Sequence, residues 1–275
     1  MGATVTPSNG SERGALTILT GAASGIGREL ASVFARNGHD LILVDIDESG
    51  LGHVERQLAA EPGAIRETVA VDLTADGAVD RLERRVDALD SPVETLVNNA
   101  GIPVYGPFAE TEFTDERALL ELNVETLTAI TDRFLPDMLE RGTGRILNTG
   151  SLAGVVPIPT AAVYGASKAY VQSFSRALAH ELEGTGVTVT VLCPGETATN
   201  FMARGGMERA AVTSGELMDP SVVARAGYAG VMAGDQVVVP GWRNRVRYHL
   251  SRLLPTPLAM RLARRVWSGP KAGRR

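Results

Sequence analysis

The fold is decided by the stretch Thr20-Gly21-Ala22-Ala23-Ser24-Gly25-Ile26-Gly27. The apolar run at 15–19 before it predicts a short buried strand, and the apolar residues that follow from Leu30 recur at helical spacing. Three glycines therefore stand at the turn between a strand and a helix. This context distinguishes a phosphate-binding turn from glycines scattered through a loop.

The glycines of this turn have separate expected roles. Gly21 permits the tight turn, Gly25 lets the backbone approach a pyrophosphate, and Gly27 lets the helix pack on the strand. Free N–H groups at the start of the helix attract the anion, so Ser24 and Ile26 are also expected to contact a cofactor. We interpret the stretch as a dinucleotide site, and a strand–helix turn that binds no ligand is the alternative.

Acidic residues stand at the ends of the next two strands. Asp45 lies 18 residues after Gly27, where a carboxylate accepts hydrogen bonds from an adenosine ribose and repels a 2′-phosphate. Because the glycine turn also lacks Arg and Lys, the sequence favours NAD over NADP, although a solvated acid is the alternative. Asp72 and Leu73 are candidates for contacts with adenine, but Asp72 could equally cap the following helix.

Strands and helices alternate along 15–241. Strands are expected at 15–19, 40–45, 68–71, 95–97, 145–149, 187–192 and 236–239, and helices at 48–60, 75–89, 112–139, around Tyr164 and at 220–232. The alternation predicts an α/β fold, a single doubly wound Rossmann-type domain with about seven parallel strands and helices on both faces. Ligands bind such sheets at the carboxyl ends of the strands.

The stretch Tyr164-Gly-Ala-Ser-Lys168 places a phenol and an ammonium one helical turn apart. A free tyrosine titrates near pH 10, and a nearby cation lowers that pKa by stabilising the phenolate. We therefore expect Lys168 to lower the pKa of Tyr164, and an oxidised nicotinamide ring could supply the cation as well. The pair is then expected to act as a general acid/base on a hydroxyl proton. A Tyr and a Lys that meet on a surface helix without any chemistry are the alternative.

Together these motifs resemble the short-chain dehydrogenase/reductase family over about 15–241. The order and spacing match for the glycine turn, Asn98-Asn99-Ala100-Gly101, Asn123, Ser151, Tyr164-x-x-x-Lys168 and Pro194-Gly195. The resemblance implies that Tyr164 is the acid/base and that Ser151 hydrogen-bonds the substrate oxygen. It also implies that Lys168 binds the nicotinamide ribose and that Asn123 holds a water in a proton relay.

Further cofactor contacts are expected at two other strand ends. The small residues around Asn99 and Gly101 would let the chain pass close to a cofactor, while an Asn amide ties neighbouring backbones together. The resemblance implies that Pro194, Gly195 and Thr199 lie beside the nicotinamide carboxamide.

Composition argues against several other classes of protein. The single cysteine, Cys193, allows no intrachain disulfide, and the four histidines share no ligand-like spacing, so no metal site is expected. No run approaches the ~20 apolar residues of a membrane span, and no secretory signal precedes the first strand. Residues 1–14 are expected to be a disordered lead-in. We expect a cytoplasmic protein that forms a homodimer or homotetramer.

The tail at 242–275 is a basic extension. From Gly241 to the end there are ten Lys or Arg, and all 32 Asp and Glu precede this point. Its apolar residues predict two short amphipathic helices broken at Pro255 and Pro257. Packing on the acidic body or on another subunit is favoured, and peripheral binding to an anionic membrane is the alternative. No nucleic acid is expected, because the tail has few aromatic residues for stacking.

The sequence thus predicts an oxidoreductase that transfers a hydride between NAD(H) and a secondary alcohol or ketone. An apolar substrate behind a mobile lid is expected, with pocket walls from Val104 and Tyr105, from 155–159 and from 201–218. A lid that packs its own apolar residues is the alternative. No charged group is expected to bind a carboxylate or phosphate of the substrate. An NADP-linked carbonyl reductase and a non-catalytic dinucleotide-binding sensor are the alternatives.

Overall fold

The computed structural model describes residues 16–199, 201, 217–255, 257–258 and 260–261. The predicted lead-in at 1–14, most of the predicted pocket wall at 201–218 and the end of the tail lie outside these residues. The described strands are β1 Leu16–Thr20, β2 Asp40–Asp45, β3 Ile65–Ala70, β4 Val93–Asn98, β5 Gly144–Thr149, β6 Val187–Leu192 and β7 Val237–Val238. The described helices are α1 Gly25–Arg36, α2 Glu48–Leu58, α3 Ala78–Asp87, α4 Phe113–Leu120, α5 Leu127–Arg141, α6 Ala162–Glu181, α7 Pro220–Ala233 and α8 Trp242–Leu253.

The seven strands form one sheet in the order β3-β2-β1-β4-β5-β6-β7. Every neighbouring pair is parallel, so all the carboxyl ends lie at one edge. The strand order reverses between β1 and β4, and a crevice opens at such a switch point. The predicted doubly wound parallel sheet is confirmed.

Helices cover both faces of the sheet. On one face α1, α2 and α7 pack on the strands, with Phe34 and Val231 among the fully buried residues. On the other face α3, α5 and α6 bury residues such as Leu82, Phe134 and Leu178. The central strands are buried on both sides, which explains why they are almost continuously apolar.

Some element boundaries differ from the prediction for local reasons. The helix expected from residue 75 begins at Ala78, because Gly77 adopts φ +68° and ends a preceding turn. The third strand begins at Ile65 rather than at 68, since Ile65 pairs with Leu41 of β2. The seventh strand is reduced to Val237–Val238 at the edge of the sheet.

The long helix expected at 112–139 contains a π-helical segment, Glu121–Thr126, between α4 and α5. Asn123 lies in this segment and is buried. Its Oδ1 accepts from the Ile102 backbone N–H at 2.9 Å, and its Nδ2 donates to the Ile102 carbonyl oxygen at 3.0 Å. Widened turns of this kind are frequent at functional sites, and the two bonds give the mid-helix Asn a structural reason.

A buried polar network ties the centre of the sheet to its helices. Asn98 of β4 donates through Nδ2 to Asn148 Oδ1 of β5 at 2.9 Å and to Thr131 Oγ1 of α5 at 3.0 Å. Asn148 in turn donates to Ser175 Oγ of α6 at 2.9 Å. Asn148 is fully buried. If its side chain were removed, its hydrogen-bond partners could not bond to solvent water instead.

Replacing Asn148 with Ala is expected to lower the free energy of unfolding by about 2 kcal/mol, because it leaves buried polar atoms with fewer partners. Urea unfolding would measure the change. Asn37→Ala is the matched control, since its amide bonds the Val33 carbonyl oxygen on the exposed end of α1 and should cost less than about 0.5 kcal/mol. Equal stability of Asn148→Ala and the unsubstituted protein would contradict this account.

Candidate active site

A cavity of about 390 Å³ opens at the carboxyl edge of the sheet, at the switch point between β1 and β4. It brings together nearly all the predicted site residues, which are far apart in the chain. Those on its wall are Gly21, Ser24, Gly25, Ile26, Asp45, Asp72, Leu73, Asn99, Gly101, Ser151, Tyr164, Lys168, Pro194, Gly195 and Thr199. Gly27 and Asn123 do not line it.

The glycine turn is built by close packing. Gly21 and Gly25 have φ values of +69° and +54°, which L side chains rarely adopt. A Cβ on Gly27 would lie 1.9 Å from the Gly21 carbonyl oxygen, so Gly27 supports the turn from beneath rather than facing the cavity. A Cβ on Gly25 would lie 3.0 Å from Thr199 Cγ2. Glycine at this position therefore keeps the space between the turn and the loop after β6.

Asn99 locks the same turn onto β4. Its Nδ2 donates to the carbonyl oxygens of Thr20 and Gly21, at 3.1 and 3.2 Å. Its Oδ1 accepts from Thr149 Oγ1 at 3.3 Å. The amide thus ties three strand ends together, as expected for an Asn at this position. Gly101 lies where a Cβ would be 2.9 Å from Asn123 Oδ1 and 3.6 Å from Lys168 Nζ.

The two acidic residues at strand ends differ in their contacts. Asp45 accepts from the Ala23 N–H at 2.9 Å and from the Asp47 N–H at 3.1 Å, which holds its carboxylate beside the glycine turn. Asp72 accepts from both the N–H and the hydroxyl of Thr74, at 2.9 and 2.7 Å. Asp72 therefore closes a local turn before α3, close to the capping role given as the alternative, while it also lines the cavity.

Ser151, Tyr164 and Lys168 meet at the other end of the cavity. Ser151 begins the 3₁₀ segment Leu152–Gly154, and its Oγ accepts from the Ala153 N–H at 3.0 Å. Lys168 is buried and donates through Nζ to the Thr149 carbonyl oxygen at 2.9 Å. Gln172, one turn further along α6, holds the Ser151 carbonyl oxygen at 2.8 Å. The helix therefore positions both the pair and the serine loop.

The electrostatics of the pair differ from the prediction. Burial raises the pKa of Tyr164 to about 12, and a hydrogen bond with Ser151 offsets this only in part. Burial also lowers the pKa of Lys168 to about 8. The expectation that Lys168 lowers the pKa of Tyr164 is therefore wrong for the protein alone. At neutral pH the phenol keeps its proton.

The loop after β6 is held by residues from the C-terminal helix. A Cβ on Gly195 would lie 2.6 Å from Asn244 Nδ2, so glycine is what allows α8 to pack directly on this loop. Asn244 itself donates to the Pro240 carbonyl oxygen at 3.1 Å. Thr197 forms a bridge with Met218, and its hydroxyl donates to the Gly195 carbonyl oxygen at 2.9 Å.

Two charged residues on the cavity wall were missed by the sequence prediction. Glu196 follows Gly195, and Arg247 reaches the wall from α8, in the extension that the prediction separated from the catalytic domain. Their ion pair measures 2.9 Å from Arg247 Nη1 to Glu196 Oε1. The two charges are paired with each other, so the expectation that no charged group binds a carboxylate or phosphate of the substrate stays a prediction. The helical spacing of Asn244, Arg247 and Tyr248 was the available signal, because it places them near one face.

The end of the cavity near Tyr164 is apolar. Leu119, Ala153, Ile158 and Ala161 pack with Tyr164 in one cluster, and Val104, Tyr105 and Phe201 pack against that cluster. The Phe201 and Tyr164 rings lie 5.9 Å apart between centroids. Phe201 lines the cavity, as predicted, whereas Val104, Tyr105 and 155–159 do not line it, so the prediction of pocket walls from these residues is wrong. Across the described ranges, no three His, Cys, Asp or Glu residues are grouped as metal ligands would be.

Comparison with known proteins agrees with this geometry. A family model described as short chain dehydrogenase matches residues 15–209. The sulfoacetaldehyde reductase 2 of Chromohalobacter salexigens is 37% identical over 199 residues, which cover 71% of this chain and 78% of that protein. Other curated relatives are longer: the chain spans 32% of the probable oxidoreductase EphD of Mycobacterium tuberculosis, at 36% identity over 192 residues that cover 70% of this chain.

Solved structures give the same result. A short-chain dehydrogenase from Sphingobium yanoikuyae in complex with NADPH has a TM-score of 0.78 and 32% identity, over 86% of this chain and 91% of that one. A bulky-bulky ketone specific alcohol dehydrogenase from Comamonas testosteroni has a TM-score of 0.75 and 29% identity, over 86% and 90%. Family model, relatives and structures agree, and the chain belongs to the short-chain dehydrogenase/reductase family of NAD(P)-dependent oxidoreductases.

Proposed function

We propose that the protein interconverts an apolar secondary alcohol and its ketone with NAD(H), and that Tyr164 is the proton donor and acceptor. The observation that carries this proposal is the single cavity that Ser151, Tyr164 and Lys168 share with Asp45 and the glycine turn. One opening thus holds groups suited to a dinucleotide at one end and to a reacting oxygen at the other.

The residues present fit a bound dinucleotide. The Asp45 carboxylate suits the adenosine ribose, and the backbone at Gly25 and the start of α1 suit the pyrophosphate, because no Cβ intrudes and free N–H groups begin the helix. Pro194, Gly195 and Thr199 would then border the nicotinamide, near Lys168. When bound, the nicotinamide supplies or accepts the hydride.

The chain's own residues would handle the oxygen and its proton. With a pKa of about 12, the Tyr164 phenol is protonated at neutral pH and is placed to give its proton to a ketone oxygen as the alcohol forms. Ser151 would donate a second hydrogen bond to that oxygen and stabilise developing negative charge. The Lys168 ammonium would support a phenolate after transfer. The protonated phenol is the form that ketone reduction uses, whereas alcohol oxidation needs the phenolate. The proton relay through Asn123 stays a prediction.

An apolar substrate is supported by the side chains around Tyr164. Ala153, Ile102 and Phe201 line the cavity, and all three pack in or against the apolar cluster around Tyr164. The Comamonas testosteroni alcohol dehydrogenase is described as specific for bulky-bulky ketones, which agrees with a ketone as the substrate class. Arg247 and Glu196 neutralise each other at the wall, so their pair does not by itself call for a charged substrate.

Tyr164→Phe is expected to reduce turnover of any active ketone or alcohol by roughly 10²–10⁴-fold, because the proton donor is lost while the ring remains. Steady-state assays with NADH would measure it. Tyr170→Phe is the matched control: its exposed ring lies on the same helix, and its hydroxyl pairs with Thr128 at 2.9 Å. Comparable rates for Tyr164→Phe and Tyr170→Phe would end the assignment of Tyr164.

The protein is expected to bind NADH at least about tenfold more tightly than NADPH, because the Asp45 carboxylate would repel a 2′-phosphate. Asp45→Asn keeps an oxygen for one of the two N–H groups and should bring the two affinities within a few-fold of each other. Fluorescence titration would measure both cofactors. Asp47→Asn removes the same charge two residues away, at the start of α2, and should preserve the preference. Tighter binding of NADPH by the unsubstituted protein would support the NADP-linked alternative.

Lys168→Met is expected to abolish activity but to stabilise the fold. Burial lowers the pKa of Lys168 from 10.5 to about 8, so the charged amine destabilises the folded state by roughly 3 kcal/mol at about pH 7. Between about pH 8 and 10.5 the unfolded chain binds this proton and the folded chain does not. The stability of the unsubstituted protein relative to Lys168→Met should therefore rise with pH across that window.

Urea unfolding near pH 7 and near pH 9.5 would test this, and the difference should shrink to about 1 kcal/mol at the higher value. Arg176→Met removes an exposed cation from the same helix, so it should show no comparable dependence on pH. A destabilised Lys168→Met, or a difference that does not change with pH, would contradict the assignment of a buried charge.

A further inference from the structure

The C-terminal helix α8 has two faces with different surroundings. On its inner face Tyr248 is buried, and Asn244 packs against Gly195. On the opposite face four apolar side chains, spaced four, four and three residues apart, form what we call the outer stripe. Its members and their exposed fractions are Trp242 71%, Val246 49%, Leu250 57% and Leu253 81%.

The sequence analysis favoured packing of this tail. In the structure one face of α8 packs on the body and the opposite face is exposed. The helix does dock on the body, through Tyr248, Asn244 and the ion pair of Arg247. Val246, Leu250 and Leu253, which contribute to the amphipathic pattern of the tail, face outward. A row of exposed apolar side chains on one short helix marks an interaction surface.

Basic residues border the outer stripe on both sides. At 3.6 residues per turn, Arg243 and Arg247 fall on one flank, while Arg245 and Arg252 fall on the other. The Arg243 guanidinium lies 5.5 Å from the centre of the Trp242 ring. No Asp or Glu follows Gly241 in the sequence. Arg247 is already paired with Glu196 of the body, so the attraction to an outside partner rests on Arg243, Arg245 and Arg252.

We propose that α8 binds the surface of an anionic lipid bilayer, with the outer stripe in the acyl boundary and the arginines at the headgroups. Apolar side chains on one face with Arg beside them and a Trp at one end are the composition that lies in a membrane interface. Arginines near an anionic leaflet add attraction that salt screens. Among the described helices, none is long and apolar enough to cross a membrane. The proposal places α8 on the surface of the bilayer because its 12 residues fall short of the ~20 that a span needs.

A second copy of the chain is a less suitable occupant. Two outer stripes that met about a twofold axis would bring Arg243 and Arg247 of one copy close to arginines of the other, without acidic residues of the tail between them. A helix of 12 residues is about 18 Å long, and one face of it offers far less than the ~800 Å² per partner of a standard interface. A bilayer requires no matching shape, and its anionic headgroups would attract the arginines that repel one another in a dimer.

Flotation of the full-length protein on a density gradient would test the proposal, with vesicles of phosphatidylcholine alone or with about 30% phosphatidylglycerol. We expect the protein to float with the anionic vesicles at low salt, and much less with neutral vesicles or at high salt. Failure to float with anionic vesicles at low salt would overturn the proposal.

Variants test whether flotation depends on the outer stripe or on exposed apolar side chains in general. Trp242→Ser/Leu250→Ser/Leu253→Ser should lower the partition coefficient at least tenfold, and Leu253→Ser alone should lower it measurably if the triple variant folds poorly. Phe108→Ser/Leu139→Ser removes two exposed apolar side chains elsewhere and should float like the unsubstituted protein. Equal flotation of the triple variant would contradict the proposal. So would a fall in particle mass by light scattering without any loss of flotation, since this would identify the stripe as a contact between copies.

Discussion

The close approach of helix α1 to the glycine turn is the constraint on which the rest of the site depends. Gly27 lies against the Gly21 carbonyl oxygen with no room for a Cβ, and Asn99 bonds the same carbonyl from β4. These contacts bring the start of α1, the end of β1 and the end of β4 to one point. The cavity opens there because the strand order also reverses there, so packing and topology select the same location.

Much of the fold and of the candidate site follows from local sequence signals. Strands β1, β2 and β6 are buried on both faces. They are therefore almost continuously apolar and can be recognised in the sequence. In a parallel sheet every residue that follows a strand reaches the same edge. For this reason Asp45, Asn99 and Ser151 could be assigned to one cavity without knowledge of any contact between them. The order of these residues along the chain was enough for the assignment, because a parallel topology brings the ends of all the strands to one edge of the sheet.

What the sequence did not predict depends on contacts between distant segments. The pKa of Tyr164 is set mainly by burial, which a pentapeptide does not reveal, so the spacing to Lys168 gave the wrong direction. The π-helical segment at Asn123 follows from hydrogen bonds to the backbone of Ile102, which lies 21 residues earlier in the chain. Arg247 belongs to a helix whose amphipathic pattern indicated one packed face, while the face that packs is the one that carries Tyr248.

The contact between Asn244 and Gly195 couples the position of α8 to the loop after β6. The helix is stiff, and its Asn244 side chain packs on Gly195 in the loop after β6, which lines the cavity. Arg247 joins the same loop through Glu196. A small change in the tilt of the helix would therefore shift that loop. Pressure on the exposed side of α8 would therefore reach the cavity wall at Gly195 and Glu196.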